Sequence, residues 1–236
     1  MSTGAARIAP VARPAVAMLA RSPRVAGKTR LTAGLPPASA AALRLALLLD
    51  TVQCALAVGW PLHLFVTPHD EQAHVADAMR ADAGLAPAAA QWHVHPQIEG
   101  DLGVRMADAM ARTLLAGHDA VVLVGSDLPA LPASVLTAAV TALATEGGER
   151  RLVFGPASDG GFYLVAGRRA WPEAFADVAW SRETVLDDVG ARARAVALDV
   201  ALVDPCDDVD AMADLERLLL AQPIDRAPRT RQWATR

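Results

Sequence analysis

Val16-Ala17-Met18-Leu19-Ala20-Arg21-Ser22-Pro23-Arg24-Val25-Ala26-Gly27-Lys28-Thr29-Arg30-Leu31 passes from an apolar run straight into a loop carrying Arg21, Arg24, Lys28 and Arg30. The run reads as a buried strand. The cations crowd a short loop and repel one another unless an anion sits among them. In an α/β protein, ligands bind at the carboxyl ends of strands, so the stretch points to a phosphate-bearing ligand. Two other readings compete. Gly27-Lys28-Thr29 matches the tail of a Walker A loop, but Ser22 stands where that motif needs its first glycine. The plain alternative is a solvated basic loop with no ligand.

The whole chain narrows the classes. Its 236 residues fit one domain with extensions. A hydrophobic share of 53% and a charged share of 20% are globular values. The net charge of -4 gives no overall attraction to nucleic acid or to anionic membranes. Cys54 and Cys206 lie too far apart in sequence to suggest a disulfide framework or a metal knuckle, and a cytoplasmic location fits them. Residues 1–14 read as an N-terminal extension, not a signal peptide, because Arg7, Pro10, Arg13 and Pro14 interrupt any apolar core. The Ala/Leu-rich residues 41–59 are broken by Arg44 and Asp50 and read as a buried helix, not a membrane span. Residues 222–236, with Pro223, Pro228, Arg226, Arg229, Arg231 and Arg236, read as a flexible tail.

Between these ends, strand and helix patterns alternate. Strands are expected at 15–20, 62–66, 91–95, 119–125, 151–155 and 162–165. Helices are expected at 38–58, 71–82 (capped by Asp70), 102–116, 132–145, 182–190 and 209–221. That alternation argues a three-layer α/β sheet, mostly parallel, with the single domain spanning 15–221.

Several acids fall at predicted strand ends. Gly125-Ser126-Asp127-Leu128-Pro129 follows the clearest central strand, and Asp127 is placed there to bind a metal or a ribose, or simply to cap a turn. Gly155-Pro156-Ala157-Ser158-Asp159-Gly160-Gly161 follows the next strand and carries a strong turn signal. Asp204, Asp207, Asp208 and Asp210 cluster before the last helix. One of them is expected to be its N-cap; the others exceed capping needs and suit a hard cation such as Mg²⁺. His93 and His95 share a strand face, but no third ligand has suggestive spacing, so they read as ordinary edge residues.

In order along the chain stand Lys28-Thr29-Arg30-Leu31, Gly100-Asp101-Leu102-Gly103 with Arg105-Met106, and Gly125-Ser126-Asp127-Leu128-Pro129. After these come Gly155 through Leu164, Trp180-Ser181, Asp208-Val209-Asp210 and Asp214-Leu215. The series resembles the DUF2064 family of GT-A-like proteins, also described as arsenosugar-biosynthesis-type glycosyltransferases. These are relatives of the sugar-phosphate and 2-phospholactate nucleotidyltransferases. The resemblance implies a nucleotide-diphospho-sugar transferase fold, a single Rossmann-like α/β/α domain. It implies that Lys28, with Arg21 and Arg30, contacts the phosphates of a nucleoside triphosphate or nucleotide sugar. Asp127 would bind Mg²⁺ (or Mn²⁺), with Asp208 or Asp210 supplying a second carboxylate. Asp159, Gly160 and Gly161 would shape the sugar or acceptor pocket. Gly100, Asp101 and Arg105 would help form the base or acceptor side. The first motif departs from the family, because Gly27 stands directly before Lys28 in a loop one residue shorter.

The expected function is a metal-dependent transferase acting on an activated nucleotide and a small-molecule acceptor, with Lys28 and Asp127 as its catalytic pair. Glycosyl transfer from a nucleotide sugar is the first reading, and nucleotidyl transfer onto a phosphorylated acceptor is the alternative. A non-catalytic nucleotide-binding protein is the rival from another class. Donor base, acceptor and oligomeric state stay open.

Overall fold

The computed structural model describes residues 10–221 and 226–235. In chain order these form β1 (Pro14–Arg21), α1 (Thr29–Thr32), α2 (Pro37–Leu56), β2 (Leu62–Thr67), α3 (Gln72–Ala81), β3 (Trp92–Pro96), α4 (Leu102–Leu115) and β4 (Ala120–Gly125). There follow α5 (Ala133–Leu143), β5 (Arg151–Pro156), β6 (Phe162–Gly167), α6 (Pro172–Phe175), α7 (Val185–Ala195), β7 (Asp199–Leu202), α8 (Met212–Leu220) and α9 (Pro228–Ala234). The strands make one seven-stranded sheet in the order β3-β2-β1-β4-β6-β5-β7. β6 runs antiparallel to both of its neighbours, and every other pairing is parallel.

Alternation along the strands splits the interior into two cores. On one face Val16, Met18 and Ala20 of β1 join Val122 and Val124 of β4 beneath α2, α3 and α5. On the other, Ala17 with Val121 and Leu123 packs against Met106 and Met110 of α4, Phe175 of α6, and Val185 and Val189 of α7. The three-layer α/β/α arrangement expected from the sequence is therefore the observed one. The strand order reverses direction between β1 and β4, both central, which opens a crevice at their carboxyl ends. Arg21 ends one of these strands and Gly125 the other.

A third, smaller core does more than fill space. Leu31 of α1, Leu43 and Leu47 of α2, and Val209 and Leu215 near α8 form one buried cluster, with Trp233 of α9 packed against it. Apolar burial here fixes the basic loop after β1 against the acidic segment before α8. Residues almost two hundred positions apart thus meet by hydrophobic packing before any charge is counted.

Some local expectations are corrected. α9 is a helix lying along α2, with Thr230 fully buried, so the part of the 222–236 tail that is described is ordered. Its anchor is the buried Asp50, whose carboxylate accepts from Arg229 and Thr230. Residues 222–225 and 236 of that tail, and 1–9 of the extension, lie outside the described residues. Asp70 sits in a short 3-10 turn and does not cap α3. No member of Asp204, Asp207, Asp208 and Asp210 caps α8: its N-cap is Ala211, and Asp214 one turn on accepts from the Asp210 and Ala211 amides. Among the described residues one helix, Pro37–Leu56, is long and apolar enough to cross a membrane. Its Leu43, Leu47, Leu48, Leu49 and Val52 are buried in the cores.

Candidate active site

Lys28 is where the basic loop meets the acids. Its backbone is left-handed (φ 51°, ψ 51°), which turns the chain sharply into α1. Its Nζ lies 3.0 Å from Asp127 Oδ2, 3.3 Å from Asp210 Oδ1 and 3.8 Å from Asp208 Oδ2, and donates to the Val209 carbonyl at 2.9 Å. Val209 N in turn donates to the Asp127 carbonyl at 2.9 Å, which joins the end of β4 to the acidic segment. Arg30 pairs with Asp210.

The charges answer one another. Burial pulls the Lys28 ammonium down, but Asp127, Asp208 and Asp210 overcome it and hold the pKa above the ordinary lysine value. Burial pushes Asp127 up from the carboxylate range, partly offset by Lys28. Burial, with Asp127 and Asp210 nearby, pushes Asp208 up to about 6 against the pull of Lys28. Below that pH Asp208 takes up a proton.

These oxygens suit a hard divalent cation by chemistry: carboxylates of Asp127, Asp208 and Asp210 with a backbone carbonyl beside them. The point on which they converge holds a cation already, the Lys28 ammonium. Among the described residues, no three acid, histidine or cysteine side chains stand ready as a metal-ligand set. The residues fit the metal in kind, and Lys28 has to leave the centre for it to enter.

Around this point opens a cavity of about 1080 Å³ at the carboxyl ends of β1 and β4. Arg21, Lys28, Arg30, Arg105, Asp127, Asp159, Gly161, Asp208 and Asp210 all line it. Gly100 and Asp101 do not. Asp101 is the N-cap of α4, accepting from Val104 N at 2.9 Å, and the Gly100 carbonyl accepts from Arg105 Nε. Their part is to aim Arg105. Gly160 also stays out of the wall and braces the loop behind it. Its φ is +81°, and a Cβ there would fall 1.8 Å from the Glu183 carbonyl oxygen. Its own carbonyl accepts from Leu186 N, which ties the turn to the start of α7. Asp159 accepts from Gly161 N and so shapes the same turn.

The sequence reading missed Arg44, Gln97, Arg182 and Glu183, all of which line the cavity. Arg44 had a signal: it is a lone cation in the Ala/Leu-rich first half of α2. Gln97 donates to the Ala20 and Phe65 carbonyls and pins the ends of β1 and β2 together.

Residues 49–182 match the DUF2064 family, described as an uncharacterized protein conserved in bacteria. The chain belongs to this family. The match includes Asp127 and Asp159 but ends before the acids of 204–210 and begins after Lys28, so packing, not the match, brings those groups together. No functionally curated protein matches. Among solved structures, the chain is similar to a candidate nucleotide-diphospho-sugar transferase of Desulfovibrio desulfuricans G20, with 26% identity, a TM-score of 0.73 and 94% of each chain covered. It shares its fold with a nucleotidyl transferase of Methanothermobacter thermautotrophicus (12% identity, TM-score 0.56, 87% of this chain and 95% of that one). It shares it also with a cytidylyltransferase of Leptospira borgpetersenii (13% identity, TM-score 0.54, 94% of each chain). The family's fold is thus that of the nucleotide-diphospho-sugar transferases, as the sequence implied.

The histidines form a separate cluster at the other end of the sheet. His63 Nδ1 lies 3.1 Å from His95 Nε2, and His63 Nε2 lies 3.1 Å from His118 Nε2, with His93 beside them. His63 bridges two rings by hydrogen bonds, so these nitrogens pair with one another instead of facing a common point. Burial, then His95, His118, His93 and Arg112, push His63 down to about 4. In the unfolded chain it takes a proton near 6.5. Between those values the unfolded state binds more protons, so stability falls as pH drops through that window. After allowance for residual solvent contact, the loss is expected to be about 1–2 kcal/mol. Urea midpoints from pH 7 to pH 4 check this, and His63→Leu should flatten the dependence.

Proposed function

We propose that the protein is a metal-dependent transferase that acts on an activated nucleotide, first a nucleotide sugar. The observation that carries it is the convergence of Lys28, Asp127, Asp208 and Asp210 at the switch point of the sheet. The similar structure from Desulfovibrio, a candidate nucleotide-diphospho-sugar transferase, supports a nucleotide-diphospho-sugar donor. Asp127 and Asp208, with Asp210, are the residues that would hold Mg²⁺ or Mn²⁺, which neutralises charge growing on a leaving phosphate when bound. Lys28, released from the acids by the metal, would bring its charge to the same phosphate. Arg105, Asp159 and Gly161, which line the same cavity, would position donor and acceptor.

Nucleotidyl transfer is the second reading. It is favoured by Arg21 and Arg44, cavity-lining cations with no carboxylate at ion-pair distance among the described residues. The test is thermal stabilisation by nucleoside triphosphates and by nucleotide sugars, each with and without Mg²⁺. Metal-dependent stabilisation by a nucleotide sugar alone supports glycosyl transfer. Stabilisation by a triphosphate, with pyrophosphate release on adding acceptor, supports nucleotidyl transfer. No stabilisation by either class overturns the reading.

A further inference from the structure

Four of the cations that line the cavity, all at or near the first loop, divide into two sets. Lys28 and Arg30 are engaged by Asp127, Asp208 and Asp210. Arg21 and Arg44 are engaged by carbonyls only. Arg44 Nε donates to the Pro23 carbonyl at 3.0 Å, and Arg21 Nη1 donates to the Ala26 carbonyl at 3.2 Å. The two guanidiniums therefore grip opposite ends of the same turn, residues 23–26, and both line the cavity. Gly27 makes this possible. A Cβ there would lie 3.2 Å from Arg21 Cδ, so the arginine stem crosses the loop where glycine leaves room.

Each guanidinium spends one N–H on the loop and keeps the rest of its fork. Partial burial lowers the Arg44 pKa, and among the described residues no carboxylate lies at ion-pair distance to offset it. Such a charge is costly unless an anion completes it. A planar fork fits a phosphate by paired hydrogen bonds.

We propose that Arg44, acting with Arg21, forms a seat for the pyrophosphoryl group of the donor. This rests on the nucleotide-transferase reading and names the part of the donor that this corner takes. Arg44 comes from α2, outside every motif that carried the family resemblance.

Calorimetric titration with inorganic pyrophosphate, with metal chelated and at low salt, tests the seat. The wild-type chain is expected to bind it. Arg44→Gln should weaken binding by about tenfold or more and make the salt dependence shallower. Arg44→Lys, which keeps the charge but lacks the fork, should fall between the two. Arg80→Gln, at an exposed pair with Asp77, should bind as wild type. A role confined to bracing the loop would lower the ligand-free melting temperature and leave the salt dependence alone. Unchanged pyrophosphate affinity in Arg44→Gln overturns the proposal. So does a wild-type chain that ignores pyrophosphate; if nucleotides still stabilise it, the transferase reading stands, and if they do not, both fall.

Discussion

Asp127→Ala is expected to lower turnover by about three orders of magnitude or more while the chain stays folded. The carboxylate lies 3.0 Å from Lys28 Nζ and is the nearest acid to the point where the site's charges meet. The position of the residue does not depend on that carboxylate. Its carbonyl holds Val209 N, and β4 before it is buried throughout its apolar length. Burial raises the Asp127 pKa despite Lys28, so the carboxylate is not a source of stability, and its removal should not unfold the chain. The alanine variant separates function from fold for that reason. Circular dichroism and urea midpoints should match wild type, and Mn²⁺ titration should show weakened binding. Full turnover by this variant with Mg²⁺ present would remove Asp127 from the chemistry.

Asp127 was legible because a central apolar strand ended at it. Strands declare themselves by composition, and their carboxyl ends by the glycine that follows. Lys28 was legible as a cation on a ligand-facing loop, but its partners were not. Nothing in the local pattern says that a loop at residue 28 meets acids at 208 and 210. That contact is made by Leu31, Leu43, Leu47, Val209 and Leu215, apolar residues unremarkable one by one. Asp101 shows the opposite case. The family resemblance implies a place on the base or acceptor side, and the structure shows a helix cap, with Oδ1 accepting from the Val104 amide. The antiparallel β6 was also hidden, since strand direction follows from connections and not from a strand's own residues. Arg44 was read only as an interruption of an apolar run. A buried helix tolerates one cation when its end reaches a cavity, so the interruption was itself the signal.

Proline and arginine content made the C-terminus look unstructured, and its second half turns out to hold a buried ionic clasp. Arg229→Ala is expected to cost about 3–5 kcal/mol, because it strands a buried carboxylate. The Asp50 side chain is 0% exposed; its Oδ1 accepts from Arg229 N at 3.1 Å and Arg229 Nη1 at 3.0 Å. Its Oδ2 accepts from the Thr230 amide and hydroxyl, each at 2.8 Å. Arg229 also donates from Nε to Asp82 Oδ2 at 2.7 Å, and hydrogen bonds from Arg229 hold Asp82 below the ordinary carboxylate range. Removing the guanidinium leaves two carboxylates without their cation. Double substitution of Arg229 and Asp50 by alanine should cost less than the sum of the single changes, since the stranded charge goes with its partner. Urea unfolding of the four chains of this cycle gives the coupling. The damage should also reach the site. Trp233 follows Arg229 by one helical turn, donates from Nε1 to the Ser39 carbonyl at 3.1 Å, and packs on the core that seats Leu31 behind Lys28. If the clasp holds that core, Arg229→Ala should weaken nucleotide binding although Arg229 lies outside the cavity wall. An unaltered stability, or a lost stability with intact nucleotide affinity, would separate α9 from the site it packs behind.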